Sequence, residues 1–476
     1  MREELATLDA VGHAELVRTR AASALELVDA AIARIERGDA RLNAVPIRCF
    51  EEAREAAQRE LPNGPFRGVP FLLKDLGATQ AGLPYTAGNR ALRAAGYRSP
   101  EDNTLGARFR AAGLIVLGRT NTPEFGLQSI TQPAAYGATN NPWDVARTPG
   151  GSSGGAAAAV AAGLVPVAHG NDGAGSLRIP AAWCGVIGLK PTRGRIPIER
   201  HWVSRYAAGF VLTRSVRDTA AFLDALHGAE PGDLFRVPPP ERRFVRELAR
   251  PPGALRIAVV SELPGIALHP EVRAALERTV SQLETLGHRA QRGGPPALAE
   301  EERKLQTFVM GPVEYRLCLR ALGEMLGRAV TRDDVEPYLW TLAEFEGAAI
   351  SAEDFVRASE WEQGWVARVT EWWAHSGFDL LLTPTLCEPA PETASFAANA
   401  AKPWALLDQM IPHMAFTEPF NTTGQPALSL PLQQSASGLP IGMQFVARFG
   451  REDLLLRLAA QLETAAGGSL VRAVVT

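Results

Sequence analysis

Two serine-bearing turns and a rare lysine carry the residue types from which a hydrolytic site is built. The stretch Thr148–Ala162 reads TPGGSSGGAAAAVAA, and a second glycine-rich run, His169-Gly-Asn-Asp-Gly-Ala-Gly-Ser176, ends in a serine 24 positions after Ser152. Gly151-Ser-Ser-Gly-Gly155 fits the GxSxG pattern of a nucleophile elbow centred on Ser153, and the alanine-rich run after it suits the helix that motif requires. The preceding Ala146-Arg-Thr-Pro-Gly150 does not suit the strand that an elbow also requires. A Walker A loop is excluded, because no Gly-Lys-Ser/Thr follows. Taken alone, the stretch reads better as a glycine turn capping a helix through Ser152 or Ser153.

The second run adds chemistry. Glycines permit tight turns whose amide protons converge on one small space, and such a nest can hold the negative oxygen of a tetrahedral acyl intermediate. Ser176 would sit beside it. The plainer reading is a tight turn at Gly173–Gly175 with Asp172 and Arg178 forming a structural salt bridge, and the local residues favour neither. A serine hydroxyl also needs a proton acceptor. No histidine is marked by its surroundings, so Lys74 in Pro70-Phe-Leu-Leu-Lys-Asp-Leu76 is the candidate. Burial of a lysine disfavours its charged form, a nearby aspartate opposes that effect, and a neutral amine serves as a general base near pH 7. The alternative is a strand-end lysine paired with Asp75 at the surface.

These residues need elements to position them. Residues 11–37 carry apolar positions spaced for one or two amphipathic helices, with Ser23 as a cap and Glu26 three residues on. Gly68–Leu73 reads as a buried strand leading to Lys74, residues 104–112 as a helix feeding a strand at Leu114–Gly118, and Ala156–Ala162 as a helix. Leu164–Ala168 is expected to be a strand edge or an extended run, Ser215–Leu226 a helix, and Arg256–Val260 a strand before a helix near Pro270–Leu286. Phe378–Leu382 and Met443–Ala447 are further strands, and Arg451–Leu462 a final helix. Alternating helices and apolar strands predict an α/β fold with a covered sheet. The Pro/Gly/Arg-rich interval 228–256 and the mostly helical 300–375 region read as an elaboration on it.

Composition bounds the function. The 476 residues are 46% hydrophobic and 21% charged, as in globular proteins, with a formal charge of −3 that supplies no general attraction for nucleic acid. No 18-residue apolar run predicts a transmembrane helix, and the N-terminal MREELATLDA lacks the apolar core of a signal peptide. Cytoplasmic location is the resulting expectation. Four scattered cysteines make neither a disulfide framework nor a thiolate zinc site, and no HExxH occurs, so neither metal nor cofactor is expected. Only Lys74, Lys190, Lys304 and Lys402 are lysines among 49 basic residues, which makes each lysine's setting informative.

Together the motifs resemble the amidase signature family of serine hydrolases. The resemblance rests on Gly150-Gly-Ser-Ser-Gly-Gly155, Gly170-Asn-Asp-Gly-Ala-Gly-Ser176, Arg178-Ile-Pro180 and Gly185-Val-Ile-Gly-Leu-Lys-Pro-Thr-Arg-Gly194. Gly68–Asp75, Gly118–Phe125, Pro419–Ala427 and Gly438–Gln444 extend it, in order, over about residues 10 to 465. Within the family the chain is most similar to the linear-amide and cyclic-oligoamide hydrolases, 6-aminohexanoate cyclic dimer hydrolases among them. The resemblance implies one amidase domain over 1–476, built on a central mixed β-sheet covered by helices on both faces. Within it, 228–375 forms a less regular, largely helical elaboration that contributes to the substrate cleft.

The resemblance further implies that Lys74 is the base, Ser152 a bridging serine after a cis peptide bond, and Ser176 the acyl-forming nucleophile. Backbone amides of Gly173, Ala174, Gly175 and Ser176 are then the expected oxyanion donors. Ala174 stands where many members have glycine, which keeps the donor but narrows the backbone geometry. Ser153, Asp172 and Arg178 are supporting residues, and Phe420, Asn421, Gly424 and Gln425 are expected at the substrate. Tyr315, Tyr338, Trp361, Trp365, Trp372 and Trp373 are candidates to line an apolar channel or to be core. The implied substrate is a small hydrophobic linear or cyclic amide, oligoamide or aryl amide, with ester or carbamate as chemically related options. The enzyme would act as a monomer or homodimer without nucleic acid or membrane. Two alternatives are the glutamine-hydrolysing subunit of a tRNA-dependent amidotransferase, which shares the fold, and a catalytically idle binding or scaffold protein.

Overall fold

A computed structural model describes residues 4–197, 206–346, 349–397, 399 and 402–471. Among these, one mixed sheet of eleven strands runs through the molecule. In chain order the strands are β1 (Ile47–Arg48), β2 (Pro70–Lys74), β3 (Ile115–Thr120), β4 (Ala168–Asp172), β5 (Ile187–Lys190) and β6 (Ala208–Thr213). They continue as β7 (Arg256–Val259), β8 (Arg289–Arg292), β9 (Leu380–Pro384), β10 (Ala427–Gln434) and β11 (Pro440–Ala447). The spatial order is β1-β3-β2-β4-β6-β5-β10-β11-β9-β7-β8. β2 runs parallel to β3 and β4, and β7 parallel to β8 and β9, while the middle of the sheet is antiparallel. Helices cover the sheet, which is the α/β architecture expected. The strands β7 and β8 belong to this sheet, so the 228–375 interval extends it as well as adding helices.

Local sequence explains several elements directly. Ser23 caps the helix Ala24–Leu42: its Oγ accepts from the Glu26 amide, and the Glu26 carboxylate accepts from the Ser23 amide at 2.7 Å, a reciprocal capping box. The helix Gly154–Ala161 is buried at every residue. Its glycines and alanines permit close approach, since a Cβ on Gly155 would overlap the Asn121 backbone and one on Gly154 would overlap Thr131. The segment before Ser153 is not a strand, so the nucleophile-elbow geometry does not form.

The strand edge or extended run read at Leu164–Ala168 meets the sheet only at its last residue. Leu164–Ala168 is mostly a turn, and β4 begins at Ala168 and runs through His169-Gly-Asn-Asp172. Gly, Asn and Asp disfavour strands in isolation. Here β6 pairs with all five residues of β4, and β2 flanks the other side, so ladder hydrogen bonds and burial override the local preference. That placement carries Asn171 and Asp172 to the end of a central strand.

Candidate active site

Lys74 closes β2 between two neighbouring strands and is fully buried. Its backbone is pinned on both sides: the amide donates to His169 Nδ1 at 3.3 Å, and the carbonyl accepts from the Arg119 guanidinium at 2.9 Å. Its Nζ lies 2.6 Å from Ser152 Oγ, 3.1 Å from Ser153 Oγ and 2.6 Å from Asn171 Oδ1. Asp75 turns away from this cluster, its carboxylate accepting from the Thr86 amide and hydroxyl and from the Gly88 amide. The surface Lys74–Asp75 pair is therefore not the geometry adopted.

Two partners of Nζ have fixed roles. Ser153 Oγ donates to the Asn171 carbonyl at 3.1 Å, so it accepts from the amine. Asn171 directs Nδ2 towards the Leu76 carbonyl, which leaves Oδ1 as acceptor for the amine. The Gly151–Ser152 peptide bond is cis. His169, whose ring packs edge-on against Phe109, is held well below its ordinary pKa, chiefly by burial.

The second loop is built around an ion pair. Asp172 and Arg178 are completely buried and bonded twice, each contact at 2.9 Å. Burial pushes the Asp172 carboxyl up, but Arg178 and further hydrogen bonds overcome that and hold it at about 2. Arg178 also donates to the Thr417 carbonyl, Gln444 Oε1 and Asn421 Oδ1 at 2.8, 2.7 and 2.5 Å. The two serine loops meet where the Ser153 amide donates to the Ser176 carbonyl at 3.2 Å.

The four expected oxyanion amides are not equivalent. Gly175 N–H donates to Asp172 Oδ1 at 2.7 Å and so is unavailable to a ligand. Among the described residues no hydrogen bond engages the amides of Gly173, Ala174 or Ser176. These three residues, with Ser152 and Asn171, border a cavity of about 540 Å³. Ser153 is buried behind it. The cavity continues between the helices Glu302–Leu326 and Pro403–Met414, with a mostly apolar wall that includes Met310, Tyr315, Tyr338, Leu407 and Ile411.

The structure separates the remaining expected residues. Tyr315 and Tyr338 border the cavity, whereas Trp361, Trp365, Trp372 and Trp373 pack in a different apolar cluster. Phe420, Asn421, Gly424 and Gln425 do not border it. Phe420 packs in the cluster with Trp365, Asn421 braces Asp172 through its backbone and side chain, and Gln425 donates to the Ala447 carbonyl. Gly424 exchanges backbone hydrogen bonds with Arg193 and Asn421. From that segment the cavity takes Glu418 and Thr422 instead. Sequence reasoning passed over Asn171 and Thr417. Neither carried a signal in the sequence, since the strand that places Asn171 is set by β6 and β2 and the contact of Thr417 by a loop remote in sequence. Among the described residues, no three His, Cys, Asp or Glu side chains are grouped to hold a metal ion, and no helix is long and apolar enough to cross a membrane.

Comparison with known proteins agrees with this architecture. The Amidase family profile matches residues 26–456. The chain is 42% identical over 469 residues to the 6-aminohexanoate-cyclic-dimer hydrolase of Pseudomonas sp. (strain NK87), covering 96% of this chain and 94% of that protein. It superposes with a TM-score of 0.91 on a solved 6-aminohexanoate cyclic dimer hydrolase complexed with substrate, at 41% identity, covering 96% of this chain and 97% of that one. One subunit of the Thermotoga maritima glutamyl-tRNA(Gln) amidotransferase shares the architecture at 26% identity and a TM-score of 0.74, covering 96% and 94% of the two chains. The chain therefore belongs to the amidase signature family and is a hydrolase with amidase activity.

Proposed function

We propose that the chain hydrolyses the C–N bond of small hydrophobic amides through an acyl-enzyme on Ser176, with Ser152 as proton bridge and Lys74 as base. The observation that carries this reading is the fully buried Lys74 Nζ, 2.6 Å from Ser152 Oγ. A neutral amine has two N–H bonds and one lone pair. Asn171 Oδ1 and Ser153 Oγ both accept, so they take the two N–H bonds and leave the lone pair for the Ser152 hydroxyl. Burial acts in the same direction by removing the hydration an ammonium needs.

In the cycle, Lys74 takes the Ser152 proton as Ser152 takes that of Ser176, and Ser176 Oγ attacks the carbonyl carbon. The amides of Gly173, Ala174 and Ser176 stabilise the oxyanion, each well-aimed donor contributing about 3 kcal/mol. Ser152 returns a proton to the departing amine, and water attacks the acyl group by the reverse relay, freeing the acid and Ser176. The cavity favours an apolar acyl or amine portion, which fits linear, cyclic or oligomeric amides and aryl amides. Esters and carbamates present the same trigonal carbonyl. The higher identity to the 6-aminohexanoate-cyclic-dimer hydrolase, 42% against 26% for the amidotransferase subunit, supports a stand-alone amidase over a glutaminase subunit.

A fluorophosphonate should label Ser176, located by peptide mass spectrometry. Lys74→Ala, Ser152→Ala and Ser176→Ala should each lower hydrolysis of a hydrophobic anilide by about a thousandfold or more without loss of the folded state. An active Ser176→Ala beside an inactive Ser153→Ala would overturn the assignment.

A further inference from the structure

We infer that Thr417 is a positioning residue for the oxyanion hole, locking the peptide unit between its two flanking donors; this rests on the proposed role of Ser176. Thr417 is fully buried just beyond the helix Pro403–Met414, and its Oγ donates to the Ala174 carbonyl at 2.7 Å. The other polar end of that same peptide unit, Gly175 N–H, donates to Asp172 Oδ1 at 2.7 Å. The carbonyl and N–H of a trans peptide point in opposite directions. The unit is thus held at both ends, like an axle in two bearings.

The flanking peptides carry the Ala174 and Ser176 amides, two of the three donors left open to the cavity. Gly175 has φ of +134°, where only glycine is at ease, and glycine also lowers the barrier to rotation of the adjoining peptide plane. A side chain there is precluded, because a Cβ on Gly175 would overlap Thr417 Oγ and Cβ. The loop therefore uses a residue that permits a flip and relies on neighbours to prevent it. Asp172 anchors one end and is itself fixed by Arg178; Thr417 is the anchor at the other. Without that anchor the plane can turn about ψ of Ala174 or φ of Gly175, and any uncompensated part of the turn re-aims the Ala174 or Ser176 amide while leaving the substrate cavity and the Lys74–Ser152 contact in place. Loss of Thr417 should accordingly affect the charged transition state and spare ground-state binding.

The test is Thr417→Val, which keeps the side-chain shape and the main-chain carbonyl that Arg178 holds at 2.8 Å. Three readouts are compared: turnover of an anilide, inhibition by an aryl trifluoromethyl ketone, and inhibition by the matching secondary alcohol. Ser176 Oγ adds to the ketone carbon, the carbonyl electron pair moves onto oxygen, and the serine proton passes through Ser152 to Lys74; the alcohol forms no oxyanion. The expected result is a fall in kcat of about 10–100-fold with KM within about threefold, and a similar weakening of the ketone alone. Thr417→Ser should restore most of the loss. Equal weakening of ketone and alcohol, a change confined to KM, wild-type behaviour of Thr417→Val, or failure of serine to rescue would overturn the role of Thr417. Absence of a Ser176–ketone adduct in the wild-type enzyme would instead overturn the assignment of Ser176, and the role of Thr417 with it.

Discussion

Replacing Asn171 by aspartate tests the protonation state on which the mechanism depends. The two side chains are nearly isosteric, so the change adds charge with little change in volume. Asn171 Oδ1 is 2.6 Å from Lys74 Nζ. At an effective permittivity of about 20, a carboxylate oxygen and an ammonium at that distance attract by about 6 kcal/mol. The cost of burying the new carboxylate offsets much of this, and an opposite charge at such range moves a pKa by about 1–3 units. Aspartate would hold Lys74 in the ammonium form, in which its lone pair is occupied. The acid limb of the kcat/KM profile for a chromogenic anilide should move up by about 1–3 pH units. Activity at pH 7 should fall by about 10- to 1,000-fold and recover at alkaline pH. The lost Nδ2 contact to the Leu76 carbonyl is long, at 3.4 Å, so thermal stability should change little. An acid limb at the wild-type position, or a loss of equal size at every pH, would refute a neutral Lys74 as the working base.

Other consequences follow from buried charges. Asp172→Asn leaves the Arg178 guanidinium buried without its carboxylate, and urea unfolding at pH 7 should show a loss of about 3–5 kcal/mol. Because Asp172 sits at about 2 against an ordinary 3.8, its contribution is present above pH 3.8 and is lost only as pH falls through about 2; a loss already near pH 6 would contradict the pairing. Glu124 behaves oppositely, since burial and then the neighbouring Glu336 push its carboxyl up to about 8 from 4.5. Its contribution is fully present below pH 4.5 and disappears as pH rises through about 8. The stability of wild type relative to Glu124→Gln should therefore fall by up to about 4 kcal/mol between pH 5 and 9, and a constant difference would refute the shift. Lys190 is buried with Nζ donating to the Pro191 carbonyl at 2.9 Å, and burial, then Arg178, holds it well below the ordinary lysine value. Below the unfolded lysine pKa that burial costs stability, so Lys190→Met should raise the unfolding free energy at pH 7 by about 1–3 kcal/mol, with the gain shrinking above pH 10. Destabilisation would show instead that the amine's contacts outweigh its desolvation.

Several features were legible because their cause is local. Ser23 and Glu26 stand at the spacing that closes a capping box, and the box forms. The apolar run ending in Lys74 becomes a central strand. The order of the glycine, serine and lysine motifs identified the family without reference to any contact. Other features depend on partners remote in sequence. β4 is a strand because β6 and β2 flank it, although its own residues resist that state. The 420–425 segment looked like a pocket wall, and Thr422 does border the cavity, but Phe420 is drawn into the apolar cluster and Asn421 into the Asp172–Arg178 network.

The sequence by itself determined the chemical inventory: the scarce lysine, the two serines 24 residues apart, and the glycines that let two loops approach each other. Residue type and short-range spacing suffice for these, because reactivity and backbone freedom are properties of the residue and its immediate neighbours. Only the tertiary structure decided which hydroxyls reach the amine, which loop amides stay open to the cavity, and which side chain stops the peptide at Gly175 from turning. Those outcomes are set by hydrogen bonds between segments as far apart as Ala174 and Thr417, where angstrom-scale distance and direction decide, and a linear spacing holds neither.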